Sequence, residues 1–300
     1  MAIKLIAGAF AADPNRVHRP ALQRGAVLTV ALSPDATEVI YDLADSRSAT
    51  FDLWQLAFAR GVPARRTFNA GSDVFPVWSP DGRRIAYASV REGPPWLYAL
   101  DAAGSREETR LLKANLPTVP SGWSADGKML FYTMVNPLTA GGDIYVLPPD
   151  GGEPKAVVNT EWDERYGTLS PDGRWLAYVS NRSGRYEVYV SAFPGGGLLR
   201  QVSNAGGLQP EWRRDGRELF YLAPDDMLMA VDTSAAGASF DHGAPAPLFS
   251  RRMLTLEIQP TARTYSPTAD GRRFLIASAT QQARSEPIRV ALNWLAALRR

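Results

Sequence analysis

A short pattern recurs six times in this chain and constrains its fold more than any other feature. It is an aromatic or apolar residue followed by serine, proline, aspartate and glycine. The copies are Leu32-Ser33-Pro34-Asp35, Trp78-Ser79-Pro80-Asp81-Gly82, Trp123-Ser124-Ala125-Asp126-Gly127, Leu169-Ser170-Pro171-Asp172-Gly173, Trp212-Arg213-Arg214-Asp215-Gly216 and Ala269-Asp270-Gly271. With Asp35, Asp81, Asp126, Asp172, Asp215 and Asp270 as markers, the spacings are 46, 45, 46, 43 and 55 residues. Internal periods of ~40–50 residues are those of four-stranded propeller blades. Proline pre-sets φ for a type I turn, aspartate bonds the backbone ahead of it, and glycine takes the positive φ that closes the hairpin. Copy one has Ala36 in place of the glycine, so a distorted turn is expected there. The basic residue after the glycine (Arg83, Lys128, Arg174, Arg217, Arg272) is read as a solvated turn cation.

The strand after each turn carries consecutive apolar positions: Val39-Ile40-Tyr41, Ile85-Ala86-Tyr87, Leu130-Phe131-Tyr132, Leu176-Ala177-Tyr178, Leu219-Phe220-Tyr221 and Phe274-Leu275-Ile276. Unbroken apolar runs mean that both faces of the strand are covered. A radial blade sandwiched between two neighbours supplies that cover. A third strand follows each time, for example Asp143 to Leu147 and Glu187 to Ser191, and in the last copy Ile288 to Leu292. Outer strands follow in five copies at 64–68, 109–113, 155–158, 199–202 and 247–250. The sixth copy has none, and an unpaired edge invites aggregation. The apolar stretch Ile3 to Ala9 is therefore expected to complete the last blade and latch the ring. The expected fold is all-β: a six-bladed β-propeller of four-stranded antiparallel blades, closed by the N-terminal strand, with residues 1–300 as one domain.

Composition narrows the function classes. The chain has 33 basic and 31 acidic residues, a net charge of +2, and no basic stripe, so a nucleic-acid partner is not expected. No apolar run approaches the ~18 residues of a membrane helix, so membrane insertion is not expected either. Zero cysteines exclude disulfides, thiolate metal sites and thiol catalysis. Residues 1–12 are shorter than the ~15–30 residues of a signal peptide and are read as a first strand or an arbitrary chain start.

These motifs resemble the TolB-type propeller repeat, an aromatic residue and Ser-Pro-Asp-Gly before an apolar strand, over residues 26–300. Three stretches resemble one branch of it, the C-terminal propeller region of bacterial eukaryotic-like serine/threonine kinases: Leu169 to Val190, Gln209 to Leu222, and Pro287 to Trp294. The resemblance implies a sensory or scaffolding module outside the cytoplasm. The kinase itself is absent, since no Gly-rich phosphate loop precedes a lysine strand, and Val17-His18-Arg19-Pro20 lacks the catalytic aspartate.

Catalytic signals are few. His18 and His242 are too far apart for a metal motif, no Gly-x-Ser-x-Gly elbow occurs, and both histidines are read as loop residues without a catalytic role. Propellers bind ligands at the channel mouth, so the loops entering each first strand are the candidate site: 71–76, 116–122, 160–167, 204–210 and 256–263. The candidates are Asp73, Gln209, Arg263 and the run Glu161-Trp162-Asp163-Glu164-Arg165-Tyr166, read as an exposed rim of carboxylates, a guanidinium and aromatics. Asp73, Asp163 and Glu164 could converge on a cation such as Ca²⁺. The expected function is a monomeric, non-catalytic module binding a protein or peptide on the channel face. The alternative is a hydrolase or lyase working through paired carboxylates such as Asp163 and Glu164.

Overall fold

The computed structural model describes residues 3–6, 27–45, 47–150, 152–195, 197–236, 239–250 and 262–279. Among them run twenty-four strands and no helix. Strand β1 (Ile3–Ile6) precedes five blades built as antiparallel meanders. The first contains β2 (Val30–Leu32), β3 (Glu38–Ala44), β4 (Phe51–Ala57) and β5 (Pro63–Arg65). The second contains β6 (Asp73–Trp78), β7 (Arg84–Ser89), β8 (Trp96–Asp101) and β9 (Glu108–Leu112). The third contains β10 (Thr118–Trp123), β11 (Leu130–Val135), β12 (Gly142–Leu147) and β13 (Lys155–Val158). The fourth contains β14 (Glu164–Leu169), β15 (Trp175–Ser180), β16 (Glu187–Ala192) and β17 (Leu199–Gln201).

The fifth blade departs from the simple meander. Its β18 (Leu208–Trp212) and β19 (Glu218–Leu222) lead into a ten-residue β20 (Met227–Ala236). The far half of β20 pairs with β21 (Ser239–His242), and its near half with the outer strand β22 (Ala246–Ser250). The extra hairpin accounts for the 55-residue spacing and places His242 on a strand. His18 lies outside the described residues.

In the sixth blade, β23 (Tyr265–Pro267) pairs with β24 (Phe274–Ala279), and β1 pairs with β24 from Ile3↔Ala279 to Ile6↔Ile276. The N-terminal segment thus joins the last blade as expected, but in a different place. It takes the third position, beside the second strand, rather than the outer fourth. The strand expected there, 288–292, lies outside the described residues. Apolar pattern marks a segment as strand but does not say which open edge it will satisfy.

Six apolar clusters sit between successive blades and account for the ring. Ile40 and Leu53 of the first blade pack on Ile85, Tyr87 and Tyr98 of the second. Ala86 and Leu97 then meet Leu130 and Tyr132, and Phe131 and Ile144 meet Leu176 and Tyr178. Ala177 and Val179 meet Leu219 and Tyr221, and Phe220 and Leu222 meet Phe274 and Ile276. Leu275 and Ala277 finally meet Val39 and Tyr41, which closes the circle. Adjacent residues of each second strand face opposite neighbours, because side chains alternate with period two. That is why each of these strands carries a run of three consecutive apolar positions.

The repeated turn has a hub that its spacing does not reveal. Ser33, Ser79, Ser124, Ser170 and Thr268 each donate a hydroxyl at 2.6 Å to the aspartate two residues on. The same oxygen accepts the backbone N–H five residues on, at 2.9 Å from Glu38, Arg84 and Met129. In the fifth copy Arg213 stands in for the serine and grips Asp215 by two bonds of 2.6 Å, which pulls that carboxyl down to about 2. Copy one is not distorted. Ala36 adopts φ 58 beside the φ 70–73 of Gly82, Gly127, Gly173 and Gly216, and its hydroxyl–aspartate bond is intact.

A left-handed alanine costs roughly 1–2 kcal/mol relative to glycine. Ala36→Gly is therefore expected to raise stability by about 1 kcal/mol, read as a higher denaturation midpoint with unchanged m-value. Deleting residues 1–6 is expected to lower the thermal midpoint, because the open edge of β24 loses its partner. An unchanged midpoint in a differential scanning experiment would remove β1 from ring closure.

Candidate functional site

Each blade turns at two ends, so the ring has two faces. One carries the serine–aspartate turns. The other, here the rim, carries the loops that enter first strands and those that join second to third strands. The first strands stand nearest the axis. Four of them, β6, β10, β14 and β18, break register in mid-strand. At that break Phe75, Tyr166 and Gln209 take φ of 60, 60 and 55, which turns these residues out of the ladder. The equivalent residue of β10 is Pro120, whose ring forbids positive φ.

The channel is filled at this level. Val74, Phe75, Val119 and Ala262 form one apolar cluster. Arg263 lies across it, buried, donating to the Ser121 carbonyl at 2.6 Å and the Pro210 carbonyl at 3.4 Å and pairing with Glu211. Its guanidinium also stands 6.0 Å from the Tyr166 ring centre. Burial pulls Arg263 down to about 10, still cationic at neutral pH. The Gln209 side-chain oxygen accepts from the Thr264 backbone at 2.9 Å, and its carbonyl accepts the Tyr265 hydroxyl at 2.7 Å. Gln209, expected at a ligand mouth, therefore joins the fifth blade to the sixth, and Arg263, expected there too, reaches across to the third.

The loop expected to be an exposed rim is largely buried. Asp163, Glu164, Arg165 and Tyr166 are buried, while Glu161 is exposed and Trp162 keeps 41% of its surface. Asp163 accepts the Gly142 N–H at 2.7 Å, the Arg165 Nε at 2.7 Å and the Tyr186 hydroxyl. Arg165 in turn donates to the Ala140 carbonyl. The 160–163 loop is thereby fastened to the β11–β12 loop of the preceding blade. Gly142 permits the approach, since a Cβ there would lie 2.7 Å from the Thr133 methyl. Charge type in the sequence marked this loop correctly as unusual, but a short charged run reads the same whether it is solvated or internally paired.

The three carboxylates do not converge. Asp73 is held by Asn69 and by Arg91 at 3.3 Å, Glu164 by Thr160 at 2.6 Å and Ser180 at 3.1 Å, and Asp163 as above. Among the described residues no group of three or more His, Cys, Asp or Glu could hold a metal ion. The convergence expected for Ca²⁺ is overturned by these separate partners.

Fastening the two loops leaves a large apolar side chain on each. Leu138, in the β11–β12 loop, is 94% exposed, and Trp162 stands on the loop bonded to it. Val90 is exposed on the β7–β8 loop of the same face. The sequence did carry a signal for Leu138. A bulky aliphatic residue stands out in the turn-forming stretch Asn136-Pro137-Leu138-Thr139-Ala140-Gly141, where Gly, Pro, Asn, Asp and Ser dominate.

A putative TolB from Agrobacterium tumefaciens matches this architecture with a TM-score of 0.68 and 19% identity, over 94% of this chain and 98% of that one. The fold is that of a TolB-like β-propeller. In sequence, a TolB homolog of Chlorobium luteolum is 26% identical over 190 residues, 63% of this chain and 39% of the relative. The Tol-Pal system protein TolB of Bordetella pertussis is 31% identical over 163 residues, 54% of this chain and 36% of the relative. The chain thus spans under two fifths of the length of these two relatives. No family model matches it.

Burial raises the Glu164 carboxyl above its ordinary value of 4.5, and the Thr160 and Ser180 hydroxyls only partly offset it. One oxygen, Oε2, has no hydrogen-bond partner among the described residues. A carboxyl raised by folding gives stability that is complete below its unfolded-state pKa and is lost as pH rises through its folded-state pKa. Glu164→Gln is accordingly expected to raise the thermal midpoint at neutral pH, with the gain vanishing below about pH 4. A scan of midpoint against pH for both proteins checks the sign.

Proposed function

We propose that this chain is a non-catalytic protein-binding propeller, that its partner docks on the rim face, and that Leu138 and Trp162 are the anchors. One observation carries the reading: two large apolar side chains held out into water on loops fixed from below by the Asp163–Arg165 network. Tryptophan is among the residues most enriched at interface hot spots, and Leu138 extends the apolar surface beside it. The buried carboxylates are struts in this reading. Asp163, the nearest candidate for acid–base work, already accepts three hydrogen bonds, and paired acids need a shared pocket and open lone pairs.

The likeness to TolB supports the same class, because the Bordetella relative is named as part of a Tol-Pal system. It also favours an extracytoplasmic compartment. We take the chain to act as a monomer, with residues 1–300 as one domain.

The test is affinity capture from bacterial envelope extract with the full chain and a Trp162→Ala/Leu138→Ser variant. Both side chains are exposed, so the variant is expected to melt like the parent while losing most of its captured partner. Equal recovery by a folded variant would move the docking surface elsewhere. Substituting Asp163, Glu164 and Arg165 together would be a poor test, because it removes buried struts.

A further inference from the structure

The outer side of the ring carries a second candidate surface, remote from the rim anchors. Between the first and second blades, the β4–β5 turn and the β8–β9 loop enclose a groove of about 620 Å³. Four arginines line it (Arg60, Arg65, Arg66 and Arg106) against one acid, Glu38. Two of these charges have local answers. Arg65 pairs with Asp52 at 2.8 Å, and buried Arg66 donates to Gln55 and to the Asp101, Ala102 and Ser105 carbonyls, with Glu38 and Asp101 nearby. Arg60 and Arg106 are exposed and make no ion pair among the described residues.

The groove is also apolar at its mouth. Phe68 is 51% exposed and Val62 71% exposed. Two guanidinium groups stand over the Phe68 ring, Arg65 at 5.1 Å and Arg106 at 4.9 Å from its centre. Such stacking holds both the ring and the cations in place, so the arrangement is formed before any partner arrives. Guanidinium forks match carboxylates bidentately, and the exposed half of the Phe68 ring can take an aliphatic side chain.

We propose that this groove docks an acidic peptide segment of a partner protein, its carboxylates on Arg60 and Arg106 and an aliphatic residue against Phe68 and Val62. A nucleic acid fits the observations less well. The cations are confined to one groove on a chain of net charge +2, rather than set in a stripe that follows a phosphate backbone. The site is independent of the rim anchors, so either can fail without the other.

The probe is a fluorescein-labelled hexapeptide alternating glutamate and leucine, titrated against the full chain by fluorescence anisotropy. Binding is expected at low salt, weakening about tenfold at high salt through screening. A lysine–leucine hexapeptide of the same length is expected not to bind. Arg60→Glu/Arg106→Glu should abolish binding, and Phe68→Ser should weaken it at least tenfold, with the Trp162→Ala/Leu138→Ser variant unchanged. Should the charge reversal disturb folding, Arg106→Ala alone is expected to weaken binding measurably. No binding, equal binding of the lysine peptide, unaltered affinity in the arginine variants, or displacement of the probe by oligothymidylate with tighter affinity would each overturn the proposal.

Discussion

Double-sided burial of the second strand in each blade is the constraint from which the ring follows. A free antiparallel sheet can leave one face in water, but Ile85, Ala86 and Tyr87 are all fully buried, the first and third against one blade and the second against the next. Tyrosine at the third of these positions shows how strongly packing dominates. The Tyr41 and Tyr132 hydroxyls have no hydrogen-bond partner among the described residues. An aromatic ring burying ~150–250 Å² contributes about 4–6 kcal/mol at ~25 cal/mol/Å². An unpartnered hydroxyl costs about 1–3 kcal/mol. The ring therefore wins even where its polar tip is stranded.

Much of this architecture was legible in the chain. The six turn markers gave the blade number, and the apolar run after each gave double burial. The proline, aspartate and glycine of each turn were also readable, since their roles are decided within a few positions, whereas the serine hub was not. Long-range choices were not. Whether β1 pairs with β24 or with some other open edge depends on which edges the rest of the chain leaves vacant. The fifth-blade hairpin of β20 and β21 was hidden because its Gly- and Ala-rich sequence reads as a loop insert.

The candidate site was legible in part, and the reason is electrostatic. The run at 161–166 was marked by its charges, yet its carboxylates face Gly142, Tyr186, Thr160 and Ser180 rather than solvent or one another. Gly142 comes from the preceding blade, and Ser180 and Tyr186 from later in the same blade, so no short pattern reports them. Arg263 was singled out for its position before the last repeat and turned out to span the axis between β10 and β18. The large apolar side chains left exposed are Trp162 and Leu138 on the rim and Phe68 on the outer wall.

The sixth blade combines β1 with two strands from the far end of the described chain, and its inner surface must meet the first blade before the circle exists. Contacts of such sequence separation carry the largest loop-closure entropy in the molecule. Blades one to five can stack in order as they leave the ribosome, each shielding one side of its predecessor. Both ends of that growing arc keep a naked apolar wall until the final repeat is made. The last contacts to form are thus the ones that convert a sticky arc into a sealed particle, and the vulnerable interval in this protein's life falls just before them.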